Sequence, residues 1–395
     1  MGVIKRWCLL KEFNPLSHVQ IKDYLKHEGY KIPKDRQTKK PTSNEEALKD
    51  ILSGQNPEDP VIPLTLDARG LSKGMGYLAG NTVRRDGKFH PFYTFRPDTG
   101  RLSAINPNIQ NVPNAKSGVD KDIAEAIRGC IVPSKGKVLM EFDWKAMEAV
   151  LTGYFADDPG YIRISQLDAH SFFASFILTE MKEIPEPADA SWGDEKLISF
   201  LEEIKERFPL IRYNAKQVNL ATGYGMKYKH LAALLRCSRE QAKFYLEVKD
   251  KMAPLVTKWK KDTMLQAHNE GRLETPFGYI RYFFEVLKKG NDGKWRPGKE
   301  ANEALAFRPQ SSGSSMLREA LLFAAAHDGG LFNILAPIHD ALLVECFFVD
   351  ASKVVGVLKP FMERKWEELG GLSIAVDVAI GDTWGEMRHY ETRTG

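Results

Sequence analysis

Two apolar runs, residues 333–338 and 342–348, flank the pair His339-Asp340. Runs of this length around two polar residues spell a β-hairpin, even without the usual Asn-Gly turn. A hairpin commits the end of the chain to antiparallel sheet. A further apolar run, Lys137-Val-Leu-Met-Glu-Phe-Asp143, reads as a buried strand that also ends in an acid. Helical periodicity dominates residues 146–268, interrupted by a polar, Pro-containing stretch at 184–194. The pattern predicts an α+β fold, a small antiparallel sheet flanked by helical lobes.

Toward the N-terminus, residues 13–52 read as two short helices joined by a basic loop. Ser17 and Gln20 have capping-box spacing, and Gly29 suits a helix end. Thr42 with Glu45, or Ser43 with Glu46, would cap the second helix. The loop carries Lys31, Lys34, Arg36, Lys39 and Lys40 against Asp35, either a solvated surface or a phosphate contact. A helix is expected over 66–78, then extended chain and turns over 88–113.

At 395 residues, with 43% apolar and 27% charged side chains, the chain is an ordinary globular protein of two domains or one lobed domain. Its formal charge of +4 admits a nucleic-acid partner without arguing for one. The four cysteines, Cys8, Cys130, Cys237 and Cys346, are too dispersed for a zinc ribbon or a disulfide framework. No apolar run approaches the roughly 20 residues that span a bilayer. A cytosolic protein with no membrane partner is expected.

If the strands ending at Asp143 and Asp340 are neighbours, their carboxylates meet at one edge of the sheet and could hold two Mg²⁺ ions for phosphoryl transfer. Otherwise each acid merely ends a strand. Arg212, Lys216, Leu220 and Tyr224 recur every four residues and form one stripe on a helix. Over roughly 18 Å it passes from cations to apolar residues, so a triphosphate could lie along one end and a base meet the other. The alternative is an exposed basic turn followed by core positions. Gly223 and Gly225, costly in a helix end that only packs, weigh against it. His170, in Asp168-Ala-His170 ahead of an aromatic helix, gains interest only from its neighbours.

These residues match a known set. Thr99-Gly-Arg-Leu-Ser103 and Pro107-Asn-Ile-Gln-Asn-Val-Pro113 resemble the TGRLS and PNLQNIP segments of family A, polymerase-I-like DNA polymerases. Asp143-Trp-Lys-Ala-Met-Glu148 is similar to their motif A, Arg212 through Tyr224-Gly225 to motif B, and Ile338-His-Asp340 to motif C. The order is the family's. Phe13-Asn-Pro, the pattern Arg69, Leu71, Lys73, Tyr77, and Gly381-Asp-Thr-Trp384 extend the resemblance over nearly the whole chain.

The resemblance implies a right-hand polymerase fold: a partial helical thumb over residues 1–95, a palm over 96–160 and 300–395, and fingers over 161–299. It implies a DNA polymerase that takes deoxynucleoside triphosphates and primer-template DNA as partners. Asp143, Asp340 and the carbonyl of Trp144 would bind two Mg²⁺ ions. Arg212, Lys216 and His170 would contact the triphosphate, with Lys216 as proton donor to pyrophosphate. Leu220 and Tyr224 would flank the nucleotide and template base, and Glu148 would block the sugar 2′ position. Arg101 and Gln310 would read the minor-groove edge of the primer terminus, beside His339.

This sequence departs from the family at several positions. Ala341 stands where motif C has Glu, Val150 where motif A has Arg, and Lys145 and Ala146 where it has Ser and Gln. Leu220 replaces an aromatic residue and Ala306 an Asn. Only twelve residues precede Phe13, so a truncated thumb, no exonuclease and no intrinsic proofreading are expected, with a separate polypeptide supplying the missing parts. Two other readings stay open: a single-subunit RNA polymerase, opposed by Glu148, and a non-catalytic DNA-binding module, favoured by Ala341.

Overall fold

The computed structural model describes residues 13–35, 38–54, 59–78, 83–113, 121–223, 226–235 and 237–390. The fold is α+β, as the sequence pattern requires. Its centre is a five-stranded antiparallel sheet in the order β11-β10-β3-β9-β8. The strands are β3 (Lys137–Trp144), β8 (Phe332–Ile338), β9 (Ala341–Phe347), β10 (Val376–Gly381) and β11 (Arg388–His389). The remaining strands pair two by two: β1 (Phe92–Thr94) with β2 (Ser103–Ile105), β4 (Arg272–Glu274) with β5 (Ile280–Tyr282), and β6 (Leu287–Lys289) with β7 (Trp295–Pro297).

Strand β3 lacks polar alternation because both faces are covered. Met140, Phe142 and Trp144 face one core, where Met316 and Leu317 of the helix Ala301–His327 meet Val354 and Leu358 of the helix Ala351–Met362. The Trp144 indole N–H donates to Met362 O at 2.9 Å. Leu139 faces the opposite core with Leu343, Ile338, Ile109 and Trp384. Asp143 shares that second face but lies beyond its apolar cover and is exposed.

The helical lobe is held by Phe173, Ile177, Leu197, Val218, Leu231 and Val248. It contains the helices Ala169–Glu180, Asp194–Arg207, Pro209–Thr222, Tyr228–Leu235, Arg239–Met252 and Pro254–Glu270. The N-terminal helices His18–His27, Glu45–Gly54 and Val61–Leu78 share a small core around Leu25, Leu48, Ile51 and Ile62. His230 Nε2 lies 3.2 Å from Glu46 Oε1, joining this cluster to the lobe.

Local signals were partly misread. Ser17 caps the first helix by accepting from Gln20 N, but the Gln20 side chain accepts from Asn14 N instead of closing a capping box. The second helix is capped by neither Thr42 nor Ser43: Asn44 Oδ1 accepts from Ala47 N at 2.9 Å, the third amide beyond it. The third helix begins at Val61, earlier than expected, since Pro63 is tolerated in a first turn.

Candidate active site

The turn between β8 and β9 contains only His339 and Asp340, because Ile338 pairs with Ala341. His339 takes a left-handed φ of 54°, as tight two-residue hairpins require. Strand β9 lies directly against β3 with Asp143 opposite Ala341. The two acids, nearly 200 residues apart in sequence, therefore meet at one end of the sheet. On the other flank of β3, Asp377 stands opposite Asp143 and is exposed on the same face. The sequence reading did not single out Asp377.

Among the described residues, no three His, Cys, Asp or Glu side chains form a cage that would hold an ion unaided. Two hard carboxylates at a sheet edge still fit Mg²⁺, which keeps several waters and takes substrate phosphates as ligands. Because the Trp144 side chain is committed to the core, only its backbone carbonyl is left for the ligand role.

Glu148, in the first turn of the helix Met147–Phe155, joins Gln310, Arg101 and Asp340 into one network. Gln310 Nε2 donates to Glu148 Oε1 at 2.8 Å. Arg101 Nη2 lies 3.8 Å from Glu148 Oε1 and 3.6 Å from Asp340 Oδ1. Burial and the charge of Asp340 raise the Glu148 carboxyl above its ordinary range, against the opposing pull of Arg101 and Gln310. An open groove of about 480 Å³ runs beside this network, lined by Thr99, Arg101, Gln110, Arg281, Gln310 and His339.

On the helix Pro209–Thr222, Arg212 and Lys216 are half-buried and Leu220 is 64% exposed. A core position would not leave Leu220 in solvent, so the stripe is not a packing face. Arg212 is clamped: its Nε and Nη2 donate to Asp168 Oδ2 at 3.1 and 2.9 Å, and Nε also reaches Ser171 Oγ at 2.9 Å. Asp168 in turn caps the helix Ala169–Glu180. Burial pushes the Asp168 carboxyl up, but the Ser171 and Arg212 bonds outweigh it and hold the group below its ordinary value. The Lys216 side chain makes no hydrogen bond or ion pair with the described residues. Tyr224 lies outside the described residues, as do the side chains of Lys73 and Tyr77.

His170 is pulled down to about 4, first by burial and then by Arg212, Lys216 and Lys249, against the attraction of Asp168. It is neutral at pH 7. Asn219 Nδ2 donates to Ala169 O at 3.2 Å, which orients the amide, and lies 3.3 Å from His170 Nδ1. His170 Nδ1 therefore accepts, and the ring proton sits on Nε2. Asp168, Ser171, Asn219 and Arg281 were missed as site residues; only Asp168 left a signal, its place ahead of an aromatic helix.

The family model for DNA polymerase family A matches residues 4–189 and 196–386. "DNA polymerase I, thermostable" of Thermus thermophilus is 26% identical over 345 residues, 85% of this chain and 37% of that protein. DNA polymerase I of Streptococcus pneumoniae is 26% identical over 390 residues, 96% of this chain and 40% of that protein. The chain thus spans about two fifths of these relatives. In three dimensions it resembles the POL domain of Pol1 from M. smegmatis, solved in complex with DNA primer-template and dNTP. The TM-score is 0.73 at 25% identity, covering 95% of this chain and 62% of that one. With a family model spanning nearly its full length and a matching fold, the chain belongs to DNA polymerase family A.

Proposed function

We propose that this chain is a template-directed DNA polymerase that adds deoxynucleotides to a primer 3′-hydroxyl. One observation carries the reading: the β3–β9 register that sets Asp143 beside the hairpin bearing Asp340. Asp143, Asp340 and the Trp144 carbonyl would hold two Mg²⁺ ions, which when bound lower the pKa of the attacking hydroxyl and offset charge on the leaving pyrophosphate. Lys216 binds the triphosphate and donates a proton to pyrophosphate. Arg212 exchanges Asp168 for phosphate oxygens, and neutral His170 donates from Nε2. Leu220 and Tyr224 meet the base pair being formed. Glu148 blocks a 2′-hydroxyl, while Arg101 and Gln310 test pairing geometry in the minor groove and His339 supports the primer terminus.

Primer extension on a DNA template with Mg²⁺, beside Asp340→Ala, tests this reading. Deoxynucleotide-dependent extension by the wild type and its loss in the variant are expected. Extension with ribonucleotides alone would support the RNA polymerase reading. DNA binding without extension would mean either that a separate polypeptide must supply missing thumb parts or, given Ala341 in place of a carboxylate, that the chain is a polymerase-derived binding module.

A further inference from the structure

The helix that carries Arg212 and Lys216 ends at Thr222 beneath two other helices, and two lysines meet it there. Lys249, on the helix Arg239–Met252, is 9% exposed; its Nζ donates to Thr222 Oγ1 at 2.6 Å and to Asn219 O at 3.4 Å. Lys260, on the helix Pro254–Glu270, donates from Nζ to Thr222 O at 3.2 Å. The Thr222 hydroxyl spends its own proton on Val218 O at 2.7 Å, so it receives Lys249 as an acceptor.

A buried helix end needs donors for its last carbonyls, but neutral groups or water would serve. Two lysines side by side are an expensive choice in desolvation and mutual repulsion. Burial, and then the charge of Lys260, lowers Lys249 well below the usual lysine range. Lys260 is also lowered by burial, with Asp250 the opposing charge. Cations at a helix C-terminus recover part of this cost from the aligned peptide dipoles. What they hold links directly to the nucleotide site. Asn219, whose carbonyl accepts from Lys249, uses its side chain to orient His170.

We propose that Lys249, assisted by Lys260, is a positioning residue for nucleotide binding: it fixes the last turn of the Pro209–Thr222 helix, so that Asn219 presents His170 with its Nε2 proton toward the triphosphate. This inference rests on the polymerase reading. Lys249 touches neither nucleotide nor metal and acts through Thr222 and Asn219.

The test is the Kd of the correct deoxynucleoside triphosphate in a complex with dideoxy-terminated primer-template, together with KM and kcat on extendable primer. Lys249→Met is expected to raise Kd and KM roughly tenfold while kcat at saturation and primer-template affinity stay within about twofold. Thr222→Ser keeps the acceptor and Thr222→Val removes it, so the serine variant should bind nucleotide several-fold more tightly than the valine variant. Should Lys249→Met not fold, this pair decides. A lower Tm with unchanged nucleotide Kd in Lys249→Met, or equal Kd in the two Thr222 variants, overturns the proposal. Failure of the wild type itself to bind nucleotide or extend a primer would instead remove the polymerase reading, and the proposal with it.

Discussion

Glu148 is held at both ends, by Gln310 and Arg101 on its carboxylate and by the first turn of a helix on its backbone. A side chain so restrained makes a firm wall. Glu148→Ala is expected to lower discrimination against ribonucleotides by roughly tenfold or more, about 1.4 kcal/mol, read as the ratio of kcat/KM for the two sugars; an unchanged ratio would remove Glu148 from that role. Glu345 makes a second prediction. Burial pushes its carboxyl up, but the Ser134 amide and hydroxyl, Asn333 and Lys137 bring it down to about 2. A folded value below the unfolded one near 4.5 means stability that is complete above pH ~4.5 and lost as pH falls toward about 2. Glu345→Gln should cost roughly 1–3 kcal/mol at pH 7 and flatten the acid limb of a Tm against pH curve; parallel curves would contradict this. The positions of Asp143 at a strand end and Asp340 in a hairpin turn were legible because each acid interrupts or ends an apolar run. Lys249 was not, since only tertiary burial separates it from the other lysines of its helix.

Elements were legible where periodicity or a breaker marks them, as with β3, the β8–β9 hairpin and the helices beyond Ala146. The pairing of β3 with β9 was not, because no local pattern specifies a partner almost 200 residues away. Strand β10 escaped too, although Val376, Val378 and Ile380 alternate with Asp377 and Ala379. The short turn after it makes a sharp test. A Cβ on Gly385 would lie 2.4 Å from Glu125 O and 2.7 Å from Gly129 N, backbone atoms of the helix Lys121–Gly129 that cannot step aside cheaply. Gly385→Ala should therefore destabilise by about 1–3 kcal/mol, measured by denaturant unfolding; a midpoint equal to wild type would show that the helix is free to move off.

At the scale of the molecule, no described helix is long and apolar enough to cross a membrane. A net charge of +4 in 395 residues supplies little long-range attraction, so the proposed DNA binding would depend on placed cations such as Arg101 and Arg281. If about four phosphates are neutralised, primer-template affinity should fall on the order of a hundredfold between 50 and 200 mM salt, measured by fluorescence anisotropy; a flat response would contradict electrostatic docking. The composition said as much about charge but nothing about its placement.

The central strand, finally, sets a timetable for synthesis. Both neighbours of β3 come from the last part of the chain, residues 341–347 and 376–381. A ribosome adding about 5–20 residues per second spends roughly 10–40 s between finishing β3 and finishing β9. Throughout that interval Val138, Leu139, Met140 and Phe142 have no sheet to enter, and their edges are open to other chains. Any product released before residue 340 carries Asp143 without Asp340, so an interrupted chain would be sticky and, on the proposed function, inactive.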